Sequence, residues 1–233
     1  MRKSAGFAIH MSGKLIEETI YRNKIRVFED RIHAGKLLAK KLANNNEDFI
    51  LLAIPSGGVP VGYSISNALG MNFDLMVVRK LQIPWNTEAG FGAISWDGEV
   101  VLNEELTLHL GFTEDVIKGI IRDTLKGIEQ RIKKLSGNKS FPNIKGKKVV
   151  IVDDGLASGY TMLAAIKSVQ KRGAEKITVA VPTASASSIK LLLKNVDVVC
   201  INVREGPYFA VADAYVNWYD LSDEEVLKYL KTI

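Results

Sequence analysis

One cysteine, six prolines and three histidines are all that the 233 residues hold of those types. A single cysteine forms no internal disulfide, so a reducing compartment is expected. Cys200 lies in "VDVVCINV", which reads as a buried strand where the thiol is a small core hydrophobe. His10, His33 and His109 show no ligand spacing to one another, so no metal cage held by protein alone is expected. No apolar run approaches the ~18 residues that span a bilayer. The start, "MRKSAGFAIHMSGK", has neither a sustained apolar core nor a clear cleavage site, so no signal peptide is read and a cytoplasmic protein is expected. Dense basic blocks are missing too. The net charge of +5 and pI of about 9.1 suit a handler of polyanions, but the cations are scattered. Scattered cations without interleaved aromatics weigh against a nucleic-acid partner.

What remains is an ordinary globular composition, 47% hydrophobic and 24% charged, enough for one large domain or a domain with an appendage. No repeat, low-complexity tract or proline-rich linker divides it. Residues 1 to about 23 have weak periodicity and read as an N-terminal extension. "EDRIHAGKLLAKKL" (29–42) sets Ile32, Leu37, Leu38 and Leu42 near one helical face. "FILLAI" (49–54) has strand length, "VPVGYSISNALG" reads as a helix closed by Gly70, and "FDLMVV" (73–78) as another strand. From Lys80 to about Gly98, Pro84, Trp85, Gly90 and Gly92 suggest a long loop leading into a small hairpin that includes "EVVLN" (99–103). A helix is expected from Thr113 to Leu135. Strand and helix then alternate through "KVVIV" (148–152), a helix to about Lys171, "ITVAVP" (177–182), a helix over 185–194 and "VDVVCIN" (196–202). Aliphatic strands without polar alternation, interleaved with helices, predict a parallel sheet covered on both faces, hence an α/β protein.

The informative stretch is "KKVVIVDDGLASGYTMLAAIKSVQKRG" (147–173). Ligands of an open α/β sheet bind beyond the carboxyl ends of its strands, which is where Asp153 and Asp154 fall. The small residues of "GLASGYT" let backbone N–H groups approach a ligand, and the next helix turns its positive end there, which suits a phosphate. Thr161 can add a hydroxyl or cap that helix. Two acceptors beside an anion cradle suit sugar hydroxyls or hydrated Mg²⁺ together with a phosphate, and a phosphorylated sugar satisfies both. A polar turn with a serine cap is the plainer reading of the dipeptide alone. The Gly-Lys-Ser/Thr ending of a nucleotide P-loop and the G-x-G-x-x-G dinucleotide fingerprint are both missing. A receiver domain would carry its acidic pair after the first strand, not this far along the chain.

"VVIVDDGLASGYTM" resembles the phosphoribosyl-pyrophosphate (PRPP) signature of type I phosphoribosyltransferases, especially the adenine type, with Ala157 where hypoxanthine-type enzymes carry Asp. With "FEDRIHAGKLLAKKL" (28–42), "AIPSGGVPVG" (53–62), "VVRKLQIPWNTEAGFGAI" (77–94) and "DLSDEEV", the likeness spans roughly residues 24–230 and points to a subgroup of poorly defined substrate. It implies the type I phosphoribosyltransferase fold over 24–233: a mostly parallel central sheet flanked by helices, with a mobile loop or hairpin and a small hood near 203–220. The family's first loop commonly reads Pro-Arg-Gly-Gly, whereas Ser56 stands here at the Arg position and removes a cation from the pyrophosphate site.

Carried over by the resemblance, Asp153 and Asp154 hold the ribose hydroxyls. Gly155, Ala157, Ser158, Gly159, Tyr160 and Thr161 hold the 5′-phosphate. Ser56, Gly57 and Gly58 form the first pyrophosphate loop. Arg79 and Lys80 neutralise charge growing on the diphosphate. The segment Leu81 to Gly92 corresponds to a lid that excludes water, and Glu88, its one carboxylate, is the candidate general base. Trp85 either closes over the ligand or packs the lid. Tyr208 and Phe209 are candidates to stack on a base in the hood, or else they finish the core. The expected reaction is Mg²⁺-dependent transfer of the 5-phosphoribosyl group from PRPP to a nitrogenous nucleophile, a nucleobase as in purine salvage, in a cytoplasmic homodimer. The alternative is a non-catalytic PRPP- or nucleotide-sensing regulator on the same fold.

Overall fold

The computed structural model describes residues 13–43, 48–137 and 139–231, with the backbone alone at 87 and 88. In chain order the elements are β1 (Leu15–Glu17), α1 (Arg31–Ala43), β2 (Ile50–Ala53), α2 (Gly58–Leu69), β3 (Phe73–Leu75), β4 (Val78–Ile83), β5 (Asn86–Ser95) and β6 (Val100–Leu102). There follow α3 (Glu104–Leu110), α4 (Glu114–Ser136), β7 (Lys148–Val152), α5 (Tyr160–Lys171), β8 (Lys176–Ser185), α6 (Ala186–Leu192), β9 (Asp197–Arg204) and α7 (Asp223–Leu230).

Six strands make one parallel sheet in the order β1-β9-β8-β7-β2-β3, and β4-β5-β6 make a separate antiparallel sheet. The aliphatic runs serve both faces, as their unbroken hydrophobicity requires. On one face Leu51, Ala53, Val150, Val152 and Val199 meet Leu38 and Leu42 of α1 and Val61 and Ile65 of α2. On the other, Leu52, Ile151, Val179 and Val198 meet Met162, Ile166 and Val169 of α5 and Ile189 and Leu192 of α6. Cys200 is fully buried on that second face, and burial pushes its thiol up to about 12. Gly70 closes α2 with φ of 67°, the left-handed cap that glycine adopts at low cost.

Three segments differ from the sequence expectations. "FDLMVV" is not one strand: β3 ends at Leu75, and Val78 opens β4 in the second sheet. The expected loop from Leu81 onward is a hairpin, with β4 and β5 paired from Val78–Ser95 to Ile83–Asn86 around a turn at Pro84 and Trp85. Glycine and proline there mark a bulged register and a tip; they do not signal missing strand. Part of the expected N-terminal extension belongs to the main sheet, since β1 pairs with β9. The fully buried Asn202 fastens the residues beyond it by donating from Nδ2 to the carbonyls of Tyr21 and Lys24 (2.5 and 3.2 Å).

The sheet order reverses between β2 and β7. From β2 the chain runs outward to β3, and from β7 it runs the other way through β8 and β9. Such a switch point opens a crevice between two neighbouring strand ends. Because Ile151 is fully buried in β7 beside that crevice, Ile151→Ala is expected to lower the urea-unfolding free energy by about 2–5 kcal/mol, with the m-value unchanged.

Candidate active site

The loops after β2 and β7 meet at the switch point. Ile54 N–H donates to the Val152 carbonyl (2.9 Å), continuing the pairing of the two strands to their ends. Beyond it the chain carries Ser56, Gly57 and Gly58 on one side and Asp153 and Asp154 on the other. The approach is close enough that only glycine fits. A Cβ on Gly57 would lie 1.8 Å from Asp154 Oδ2, and one on Gly58 would lie 2.7 Å from the Val152 carbonyl oxygen.

Both aspartates are half-buried. Asp153 Oδ1 accepts from the Asp154 N–H (2.8 Å), and Asp154 Oδ2 accepts from Arg31 Nε (2.9 Å). The Arg31 guanidinium lies 3.9 Å from the Trp218 ring centroid and donates through Nη1 to the Tyr219 carbonyl (2.9 Å). Tyr215 Oη donates to the Asp154 carbonyl (2.6 Å). Burial, and next the charge of Asp154, push the Asp153 carboxyl well above the usual carboxylate range. Burial raises Asp154 too, against the opposing pull of Arg31.

The stretch 155–159 hangs from the end of β8. Leu156 N–H donates to the Thr183 carbonyl (3.0 Å), and Ser185 Oγ donates to the Ala157 carbonyl (2.7 Å). Ala157 and Ser158 are exposed, and Gly159 is the N-cap of α5 with φ of 81° and no side-chain cap. The first N–H groups of α5 therefore receive no side-chain cap from position 159 beside the aspartates, an arrangement that suits an anion. Thr161 lies inside the first turn and is not the cap. The Tyr160 phenol is raised by burial and then by the charges of Glu105 and Glu104, which places that ring toward α3.

Arg79 and Lys80 are exposed at the start of β4 and border a groove of about 540 Å³ between the hairpin and α4. They open the second sheet, whereas the sequence placed them at the end of a core strand. Glu88 has a side chain outside the described residues. Trp85, at the hairpin tip, is 69% exposed and meets Phe112 edge-on. Tyr208 is 89% exposed, while Phe209 is half-buried beneath the Arg204 guanidinium, 5.2 Å from the ring centroid. The described hood has no strand after Arg204, only a 3₁₀ turn over Val211–Ala214 and a bridge from Tyr215 to Phe28.

Two cations at the site were not picked out from sequence, Arg31 and Arg131 of α4, whose Nη2 donates to Ser56 Oγ (2.6 Å), nor were Tyr215 and Trp218. Set between Asp30 and Ile32 and between Gln130 and Ile132, these arginines look like parts of a solvated helix face, and only the tertiary fold turns them inward.

The chain belongs to the phosphoribosyl transferase domain family, which it matches over residues 27–212. It is 32% identical over 207 residues to a Mycobacterium tuberculosis protein that its name assigns provisionally to the phosphoribosyl transferases; the match covers 88% of this chain and 47% of that protein. The chain thus spans about half the length of the curated relatives it matches. It is also 32% identical to a Thermus thermophilus protein of known crystal structure, at a TM-score of 0.73, over 88% of this chain and 98% of the other.

The raised aspartates make a pH prediction. A carboxyl whose folded pKa exceeds its unfolded value keeps its proton longer in the folded state, so that group's contribution to stability is greatest at low pH. It falls as pH rises from about 3.9 through the raised value. Asp153→Asn should therefore raise the Tm at pH 7 and flatten the decline above pH 4, read by thermal unfolding across pH.

Proposed function

We propose that the chain transfers the 5-phosphoribosyl group of PRPP to a nitrogenous nucleophile, a nucleobase, and releases pyrophosphate. The observation that carries this reading is the junction of the β2 and β7 loops at the sheet's switch point. There Asp153 and Asp154 stand beside the uncapped N-terminus of α5. The carboxylates accept from the ribose hydroxyls, and the N–H groups from Ala157 to Thr161 receive the 5′-phosphate. The first loop and the cations of the groove lie beside the diphosphate.

In the transfer, a nitrogen lone pair forms the N–C1′ bond as the C1′–O bond breaks, and that electron pair leaves with pyrophosphate. The proton on nitrogen passes to a base, for which Glu88 at the hairpin is the candidate. PRPP arrives with its leaving group already activated, so the protein's work is positioning and charge stabilisation.

Magnesium fits the donor set as a substrate-held ion. Asp153 and Asp154 offer hard oxygens, while no three His, Cys, Asp or Glu side chains among the described residues converge into a cage. When bound, the ion would neutralise the diphosphate. Among the described residues no helix is long and apolar enough to cross a membrane.

Calorimetric titration with PRPP and Mg²⁺, repeated with a panel of nucleobases and a pyrophosphate assay, tests the reading. PRPP binding with pyrophosphate released by one base is expected. Binding without turnover on any base would instead identify a PRPP sensor, and no binding would leave only the fold in common. Asp153→Asn with Asp154→Asn should weaken PRPP binding roughly 10- to 100-fold, since each ribose hydroxyl loses a charged acceptor. PRPP affinity unchanged in that double variant would refute the role given to the pair. Gly57→Ala should also weaken PRPP binding, because its Cβ drives the Asp154 carboxylate from its place.

A further inference from the structure

The first loop carries no cation of its own, and α4 brings one to it. Arg131 Nη2 donates to Ser56 Oγ (2.6 Å), so the guanidinium stands at the head of that loop. It also lines the groove of about 540 Å³ together with Arg79 and Lys80. Arg79 reaches the same helix, since a Cβ on Gly127 would sit 2.5 Å from its Nη1. Positions 127 and 131 are one turn apart on one face, so α4 gathers both guanidiniums at the groove.

Arg131 is incompletely satisfied where it stands. Its Nε is buried with no hydrogen-bond partner among the described residues. Its contact with Asp223 is long, 3.4 Å, and Asp223 is also engaged by Lys134 at 3.1 Å. An anion arriving in the groove can take up Arg131 while Asp223 keeps Lys134. Burial lowers the Arg131 pKa, Asp223 opposes this and Arg79 adds to it, yet a guanidinium remains charged throughout.

We infer that Arg131 is a diphosphate-binding residue: it supplies through Ser56 the positive charge that the first loop lacks, and with Arg79 it forms a forked cation site for the pyrophosphate moiety. Its planar fork matches two phosphate oxygens at once, which a lysine cannot reproduce. The inference rests on the phosphoribosyl-transfer reading above.

Calorimetry of wild type, Arg131→Gln, Arg131→Lys and the Ser56→Arg/Arg131→Gln double variant against Mg·PRPP, Mg·pyrophosphate and ribose 5-phosphate tests it. Arg131→Gln is expected to lose about tenfold or more in affinity for PRPP and pyrophosphate, with ribose 5-phosphate unchanged. The double variant should recover much of that loss. A purely structural arginine would weaken all three ligands together, and that result overturns the inference, as does an Arg131→Gln protein that binds pyrophosphate like wild type. If Arg131→Gln does not fold, Arg131→Lys is read instead, with a smaller loss again confined to the two diphosphate ligands. Wild-type protein that binds neither PRPP nor pyrophosphate overturns the parent reading as well. Wild-type binding with an unaffected variant overturns only the role of Arg131.

Discussion

The ion pair between Arg31 and Asp154 ties together parts of the chain that are far apart in sequence. Its side chains are only 7% and 14% exposed, and its 2.9 Å contact joins the first turn of α1 to the end of β7. Trp218 and the Tyr219 carbonyl hold the other side of the guanidinium, and Tyr215 holds the backbone of Asp154. Residues 31, 154 and 215–219 therefore order one another. Removing either partner would strand a nearly buried charge, at a cost of about 3–5 kcal/mol. The pair does not fully offset its own desolvation, because Asp154 stays raised even with Arg31 beside it. Packing alone has no need of such a pair; fixing one carboxylate in one orientation does.

From that fixed carboxylate the shape of the first loop follows. Asp154 occupies the space where a side chain at position 57 would begin, so the loop passes as bare backbone. Backbone without side chains presents N–H groups but no charge. Ser56 adds a hydroxyl, and the charge comes from outside the loop. The site is thus divided, with acceptors on the β7 side backed by Arg31 and cations on the hairpin and α4 side. On the phosphoribosyl-transfer reading proposed above, a sugar bearing hydroxyls and a diphosphate would meet complementary groups along its length.

Much of this was legible in the sequence, and what was not has a common cause. The four aliphatic runs of β2, β7, β8 and β9 showed themselves because strands buried on both faces need no partner to be recognised, and the acidic pair stood at a strand end by chain order alone. The reach of the hairpin back to Val78 was hidden because β4 and β5 are half polar, with Arg79, Lys80 and Gln82 exposed and the register bulged between Leu81 and Ile83. β1 was hidden because three residues carry no period. Arg31 and Arg131 were hidden because their partners lie 123 and 75 residues away. What local pattern cannot express is which long side chain a tertiary contact will turn inward.

The two arginines differ in how far the fold has satisfied them. Arg31 has a carboxylate, a carbonyl and an aromatic face, and its role ends with holding Asp154. Arg131 has a hydroxyl, a distant shared carboxylate and a buried Nε without a partner, and Arg79 repels it across the groove. Like charges gathered on one helix face raise the folding free energy unless something anionic answers them. Asp223 answers in part, and it comes from α7, whose N-terminus is pinned by a capping box at Ser222 and Glu225. An anchored carboxylate cannot follow Arg131 into the groove. Charge left unmatched by rigid neighbours is charge available to a ligand, and in this molecule it lies beside the loop that has none.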